Sequence, residues 1–317
     1  MTLALTETDV EQLLTMNDAL RVVEDALREL GHTRASNRPR QRVRMPNGVL
    51  QVMSAGLPTR GYAGFKYYTS FRPQTRFWFH LIDANNGDLL AIMQADRLGQ
   101  QRTGAASGVA TQYLARADAS SIGIIGTGWQ AESQLEAVCA VRQIRIVQCY
   151  SRDVERRKKF AEEMSARLNV DVRDVDSAEE AVRAADIVIT ATHAREPVLR
   201  GEWLKPGTHV NAVGSNRAEA REIDDAVVVR SAFVCADSIE QAKIEAGDLL
   251  APIERGVFSW ERVKELGDLV SGRLAGRADR DQITLFKSLG IALEDVAVGA
   301  WVYKRARELK IGKEVSL

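Results

Sequence analysis

Residues 121–131 read Ser-Ile-Gly-Ile-Ile-Gly-Thr-Gly-Trp-Gln-Ala, and no other stretch restricts the fold as much. A short apolar strand, Ile122 to Ile125, runs directly into Gly126-Thr127-Gly128, and a helical pattern follows over 130–141. Gly126 permits a tight turn after the strand, Gly128 lets backbone approach a pyrophosphate, and Ala131 lets the helix lie close to the strand. The free N–H groups and dipole of the helix N-terminus then favour negative charge at that point. A bare glycine triplet is weak; with a strand before it and a helix after it, the pattern is the dinucleotide turn of a Rossmann domain. Gly126, Thr127, Gly128, Trp129 and Gln130 are the candidate cofactor contacts of this turn.

The texture beyond the turn agrees. Ile144–Tyr150, Ile187–Thr190 and Val210–Val213 read as short buried strands, and 154–168 reads as a helix. Strands alternating with helices imply a parallel sheet covered by helices. The first of these strands ends at Cys149-Tyr-Ser151-Arg152, where an NAD site usually carries an acid for the ribose hydroxyls. A hydroxyl at Ser151 and guanidinium groups at Arg152 and Arg156 suit the extra phosphate of NADP, because arginine forms paired, charge-assisted bonds to it. NADP(H) is therefore favoured; Asp153 lies close enough to leave NAD(H) open.

The first 118 residues look different. A helix places Val22, Val23, Ala26, Leu27 and Leu30 on one face and is broken by Gly31. Alternating runs follow at 48–53, 65–69, 77–82 and 89–93, separated by turn signals such as Asn85-Asn86-Gly87-Asp88, which predicts an antiparallel sheet. A small-residue helix then runs through Thr103, Ala106 and Ala110 to Leu114, and the texture changes near Ala119. With 317 residues, two domains are expected.

Acidic and basic residues balance at 43 each, leaving no surplus to neutralise a nucleic acid. The start has neither the basic nor the apolar region of a signal peptide, and no apolar run is long enough for a bilayer, so a cytoplasmic protein without a membrane partner is expected. Cys139, Cys149 and Cys235 are spaced as buried thiols rather than as a disulfide framework. The histidines at 32, 80, 193 and 209 show no ligand spacing, and no metal is expected. Among the charged residues of the first part, Arg40, Lys66 and the Arg102-Thr103 pair each fit a surface charge on composition alone. Lys66 is the most suggestive, lying inside the apolar run Ala63-Gly-Phe-Lys-Tyr-Tyr.

Taken in order, Gly64-Phe-Lys66, Arg102-Thr-Gly-Ala-Ala-Ser107, Ile125-Gly-Thr-Gly-Trp-Gln130, Gly201-Glu-Trp-Leu-Lys-Pro-Gly207, Asn211-Ala-Val-Gly-Ser215, Leu285-Phe-Lys-Ser-Leu-Gly290 and Ala292-Leu-Glu294-Asp295 resemble the ornithine cyclodeaminase/μ-crystallin family across nearly the whole chain. The stretch Asp186 to Asp225 is especially similar to the ketimine-reducing, μ-crystallin-like branch. The resemblance implies an α/β fold. A Rossmann NAD(P)-binding domain would span 119–285. An α+β substrate and dimerisation domain would span 1–118, completed by the C-terminal helix within 286–317, in a homodimer. It implies that Arg40, Lys66 and Arg102 hold or polarise the carboxylate and imine or amine end of the substrate, with Gln51 and Asn216 also in contact with it. Thr103 would meet the cofactor phosphates, Thr190 and Thr192 the cofactor after the fourth strand, and Val213, Gly214, Ser215 and Leu289 the nicotinamide region.

Deaminating members of the family carry an aspartate at the position matching Asn216, whereas ketimine-reducing members carry an uncharged polar residue. An amide takes no proton at neutral pH, so Asn216 removes the base that ammonia release would need. Gln51 likewise stands where the cyclodeaminase has a glutamate. The expected activity is NAD(P)H-dependent reduction of small cyclic imino acids such as pyrroline-2-carboxylate or piperideine-2-carboxylate. The alternatives are an ornithine or lysine cyclodeaminase with recycled NAD, an amino-acid dehydrogenase, and a non-catalytic nucleotide-binding protein.

Overall fold

A computed structural model describes residues 1–71 and 73–316. The chain divides into two compact units, Met1–Ala106 with Gly290–Leu317, and Ser107–Leu289. It opens with β1 (Thr2–Leu5), α1 (Glu7–Leu13) and α2 (Met16–Gly31). Both helices start in a capping box, Thr6 with Asp9 and Thr15 with Asp18, which satisfies two otherwise orphaned N–H groups at each start. The strands β2 (Ser36–Asn37), β3 (Gln41–Met45), β4 (Gly48–Leu57), β5 (Tyr62–Phe71), β6 (Gln74–Asp83) and β7 (Leu89–Gln94) follow, and then α3 (Asp96–Leu114), inside which the two units divide.

The second unit contains β8 (Ser121–Ile125), α4 (Trp129–Val141), β9 (Ile146–Tyr150), α5 (Val154–Leu168), β10 (Asp171–Asp174), α6 (Ala178–Arg183), β11 (Ile187–Thr190) and β12 (His209–Ala212). It continues through α7 (Asp225–Arg230), β13 (Ser231–Ala236), α8 (Ile239–Glu245), α9 (Gly247–Glu254), β14 (Val263–Glu265), α10 (Leu266–Val270) and β15 (Ile283–Lys287). The chain then returns to the first unit as α11 (Ala292–Leu309) and β16 (Lys313–Val315).

The first unit is an eight-stranded sheet in the order β16-β1-β7-β6-β5-β4-β2, with β3 also paired to β4. All its pairs are antiparallel except β1 with β7. The long hairpins β4 to β7 are those expected from the alternating runs, and the 85–88 turn closes through Gly87 N–H to the Asp83 carbonyl at 2.9 Å. The short strands β1, β2, β3 and β16 carry too few residues to show a period. Helix α11 packs on β4, β5 and β6 and against α2. Every residue from Ala292 to Ala300 is buried, so this helix is core along its whole first half.

The second unit is an eight-stranded parallel sheet, β10-β9-β8-β11-β12-β15-β13-β14. Strand order reverses beside β8, whose neighbours are β9 on one side and β11 on the other. That is the switch point at which open α/β sheets bind ligands. Both faces are covered: Ile187 and Ile189 of β11 enter one apolar cluster with Ile122, Ile124 and Val147, while Val188 enters another with Val210 and Leu285. Cys149 and Cys235 are buried, Cys139 is half-buried, all three are free, and burial raises each thiol, to about 12 for Cys139 and Cys149. Among the described residues no helix is long and apolar enough to cross a membrane.

Candidate active site

In the first unit, side chains of one face of β4 and β5 turn toward α11. Alternation along a strand puts Gln51 and Met53 on that face, and their cross-strand partners are Tyr68 and Lys66. Lys66 is only 2% exposed, and its Nζ donates to Asp295 Oδ1 at 2.6 Å. Arg102, on α3, donates from Nε to the same oxygen at 3.0 Å and from Nη1 to Glu294 Oε2 at 2.8 Å. Arg40, just ahead of β3, donates from Nη2 to the Gly290 carbonyl at 3.1 Å and is also buried. Three cations therefore share this buried region with two carboxylates of the first turn of α11.

Read from composition, these three side chains fit surface charges; the structure buries all of them. A charge taken out of water needs a partner with good geometry, and here the partners named come from 192 to 250 residues along the chain. Burial pushes the Lys66 ammonium down to about 8; Arg102 and Arg40 act the same way, and Asp295 opposes them. Burial also works against the charge of Arg102, but Asp295 and Glu294 outweigh it and hold the guanidinium above its usual range. Gln51 accepts from the Tyr68 hydroxyl at 2.7 Å and donates to Ser70 Oγ at 3.4 Å, so this part of the face is polar and uncharged. Thr103 donates its hydroxyl to the Gly99 carbonyl one turn back, at 2.7 Å.

In the second unit, the turn after β8 is as tight as its glycines suggest. Gly126 has φ +106°, and a Cβ there would stand 2.3 Å from the Ala191 carbonyl oxygen, so only glycine fits. Its N–H donates to the Tyr150 carbonyl at 2.8 Å, which pins the turn to the end of β9. Gly128 is the N-cap of α4 and offers no side-chain cap, so the first N–H groups of this 13-residue helix have no side-chain partner there, and the nearest atom a Cβ on Gly128 would meet is Arg156 Nη2, at 3.5 Å. Ala131 is fully buried against the sheet. The residues present fit the pyrophosphate of a dinucleotide. Trp129 stands 45% exposed beside the turn, and Gln130 is half-buried.

At the end of β9, Ser151 Oγ accepts from Thr127 Oγ1 at 2.9 Å and donates to the Asp153 carbonyl at 3.2 Å. The Asp153 carboxylate caps α5 by accepting from the Arg156 N–H at 3.1 Å. Arg156 Nε reaches back to the Thr127 carbonyl at 3.2 Å, which lays its guanidinium over the glycine turn, and Arg152 is exposed.

The loops after β11 and β12 converge on one residue that sequence reasoning did not select. Glu222 is fully buried, and its carboxylate accepts from Thr190 Oγ1 (3.0 Å), Thr192 N–H (2.6 Å), Thr192 Oγ1 (2.8 Å) and Gly214 N–H (2.6 Å). The Thr190 and Thr192 hydroxyls are thus donors to Glu222. Gly214 has no room for a side chain, since a Cβ would lie 2.3 Å from Thr192 N and 2.4 Å from Glu222 Oε1. The Glu222 N–H is held by Asp248 Oδ1 at 2.7 Å, Asp248 Oδ2 pairs with Lys287 at 2.8 Å, and Lys287 donates to the Ser215 carbonyl at 2.7 Å. Burial raises the Glu222 carboxyl, with Lys287 acting against that. Val213 donates its N–H to the Thr190 carbonyl at 2.9 Å. Leu289 donates its N–H to Asp237 Oδ2 at 2.7 Å, and Asn216 is half-buried in the loop after β12.

The residues missed are therefore acids: Asp295 and Glu294 in the first unit, Glu222, Asp248 and Asp237 in the second. One signal was present for the first pair, because Glu294-Asp295 interrupts an otherwise apolar helical stretch, and an acidic pair on a buried helix needs cationic partners.

A glycine turn at the switch point of a parallel sheet, with an uncapped helix behind it, places this chain among the dinucleotide-binding α/β proteins. Within that class it belongs to the ornithine cyclodeaminase/mu-crystallin family, whose profile matches residues 1–310. A Thermococcus litoralis Δ1-pyrroline-2-carboxylate reductase, solved with NADH and L-proline, is 38% identical and superposes with a TM-score of 0.95 over 99% of this chain and 100% of its own. An archaeal alanine dehydrogenase dimer with bound NAD is 34% identical, with a TM-score of 0.94 over 99% of each chain. A Δ1-pyrroline-2-carboxylate reductase of Bacillus cereus is 41% identical over 74% of this chain and 72% of its own. The expected fold class, a Rossmann domain joined to an α+β domain, is shared with the solved relatives from end to end.

Proposed function

We propose that this protein is an NAD(P)H-dependent reductase of small cyclic imino acids, such as pyrroline-2-carboxylate or piperideine-2-carboxylate. The observation that carries this reading is the buried cluster of Lys66, Arg102 and Arg40, in which Lys66 and Arg102 keep donors outside their bonds to Asp295 and Glu294. Arg40 and Arg102 hold that carboxylate; Arg102 keeps Nη2 outside its bonds to Asp295 and Glu294. Lys66, brought near 8, gives its proton to the imine nitrogen. A bound reduced nicotinamide supplies the hydride. The uncharged Gln51 and Tyr68 suit an apolar ring rather than a distal amine, and Asn216 offers no base for releasing ammonia. The reductases of Thermococcus litoralis and Bacillus cereus support the same substrate class.

In this reading NADP(H) is preferred. The acid nearest the end of β9, Asp153, is spent on capping α5, while Arg152 is exposed and Arg156 lies over the turn. Similarity to the alanine dehydrogenase over 99% of the chain favours a second reading, oxidation of an amino acid by the same groups in reverse, and a homodimer as its assembly. Purified protein mixed with NADPH or NADH and a panel of cyclic and open-chain imino acids distinguishes them. Loss of the reduced-nicotinamide absorbance is expected with the cyclic imines and faster with NADPH. Turnover only with amino acids and oxidised cofactor favours the dehydrogenase, and none with any substrate overturns both.

A further inference from the structure

Nothing in the reduction so far uses Asp295, although it is the residue that touches Lys66. It is fully buried in the first turn of α11, and one oxygen, Oδ1, receives both Lys66 Nζ and Arg102 Nε. The other oxygen, Oδ2, is also buried and has no hydrogen-bond partner among the described residues. Arg102 has a second carboxylate of its own, Glu294. Lys66 Nζ has no hydrogen-bond partner other than Asp295 among the described residues. An ammonium carries three donors, so two remain for a ligand. A lysine side chain has four rotatable bonds, and this single contact decides where its tip stands.

We propose that Asp295 is the positioning residue for Lys66, fixing the place of the ammonium and keeping it charged for the substrate, while Glu294 helps to fix the place of the Arg102 guanidinium. The proposal rests on the imine-reduction reading. There the imine carbon gains the hydride, the nicotinamide leaves oxidised, and the C=N π pair takes one Nζ proton to form the N–H bond. Lys66 is left a neutral amine that still donates to Asp295, and it recovers a proton from water before the next turnover. Among the described residues, the charged groups that act on Nζ are Asp295 on α11, Arg102 on α3 and Arg40 ahead of β3, and Glu294 meets Arg102. Of these, Asp295 opposes burial and the two guanidinium groups, all of which drive the proton off Lys66.

Asp295→Asn keeps shape and removes the charge. The test is the pH profile of kcat/KM for imine reduction, measured for wild type, Asp295→Asn and Lys66→Met, with thermal melting as the check on folding. Activity of the wild type is expected to fall as pH rises through about 8. In Asp295→Asn that alkaline limb moves down by about one unit or more, because an opposite charge in contact has been lost. The substrate's own ionisation is common to both profiles and cancels. If Asp295→Asn does not fold, Asp295→Ser, smaller and equally uncharged, carries the same measurement. A folded variant with the wild-type limb overturns the proposal while leaving the reading intact, provided Lys66→Met is inactive. Full activity in Lys66→Met sinks the reading itself.

Discussion

Each unit contains a lysine that is almost wholly removed from water, and the two are held in opposite ways. Lys287, in the second unit, meets the Asp248 carboxylate and the Ser215 carbonyl, while Asp248 also accepts from the N–H groups of Glu222 and Ile223. Glu222 in turn is surrounded by four donors. Lys66, in the first unit, meets one shared carboxylate oxygen and lies near two guanidinium groups. A buried charge answered in full by its own chain holds loops in place. A buried ammonium with two donors still unused is available to a ligand. Burial alone does not separate scaffold from chemistry; the count of partners does.

That distinction predicts opposite responses to the same substitution. Lys66→Met is expected to lower kcat/KM by about 10²–10⁴-fold, the range for a lost general acid. Its melting temperature should stay within a few degrees, because Asp295 keeps its bond to Arg102. Lys287→Met should do the reverse, costing about 3–5 kcal/mol in denaturant unfolding by leaving Asp248 uncompensated. A stable Lys287→Met protein would break the comparison. The smallest effect belongs to an exposed group: Arg152→Ala should weaken NADPH by about five- to tenfold and leave NADH nearly unchanged, as read from the two KM values. Equal effects on both cofactors would remove the 2′-phosphate role.

The parts of the molecule legible in advance are those whose signal is local. The glycine turn at 126–128, the period of β4 to β7 and the helices α4 and α5 declare themselves within about 15 residues. The first unit's cations were named, Lys66 for its apolar setting and all three through the family pattern, but their burial was not foreseen. It depends on an acidic pair near the other end of the chain, and composition reads a lone arginine as a surface group. Glu222 was hidden for the same reason. Arg221-Glu-Ile-Asp-Asp225 looks like a solvated acidic run, yet its glutamate turns inward, with Asp248 holding the backbone on either side of the peptide between Glu222 and Ile223.

Helix α11 lies in the core of a unit whose other elements are all made at least about 180 residues earlier, apart from the short β16. During synthesis the segment from Arg40 to Arg102 therefore leaves the ribosome with neither acid to meet Arg40, Lys66 and Arg102. Those side chains must stay hydrated until the whole Rossmann domain has emerged. The Rossmann domain is free to close first, and the helix that follows it locks the earlier sheet and delivers the two counter-charges in a single event.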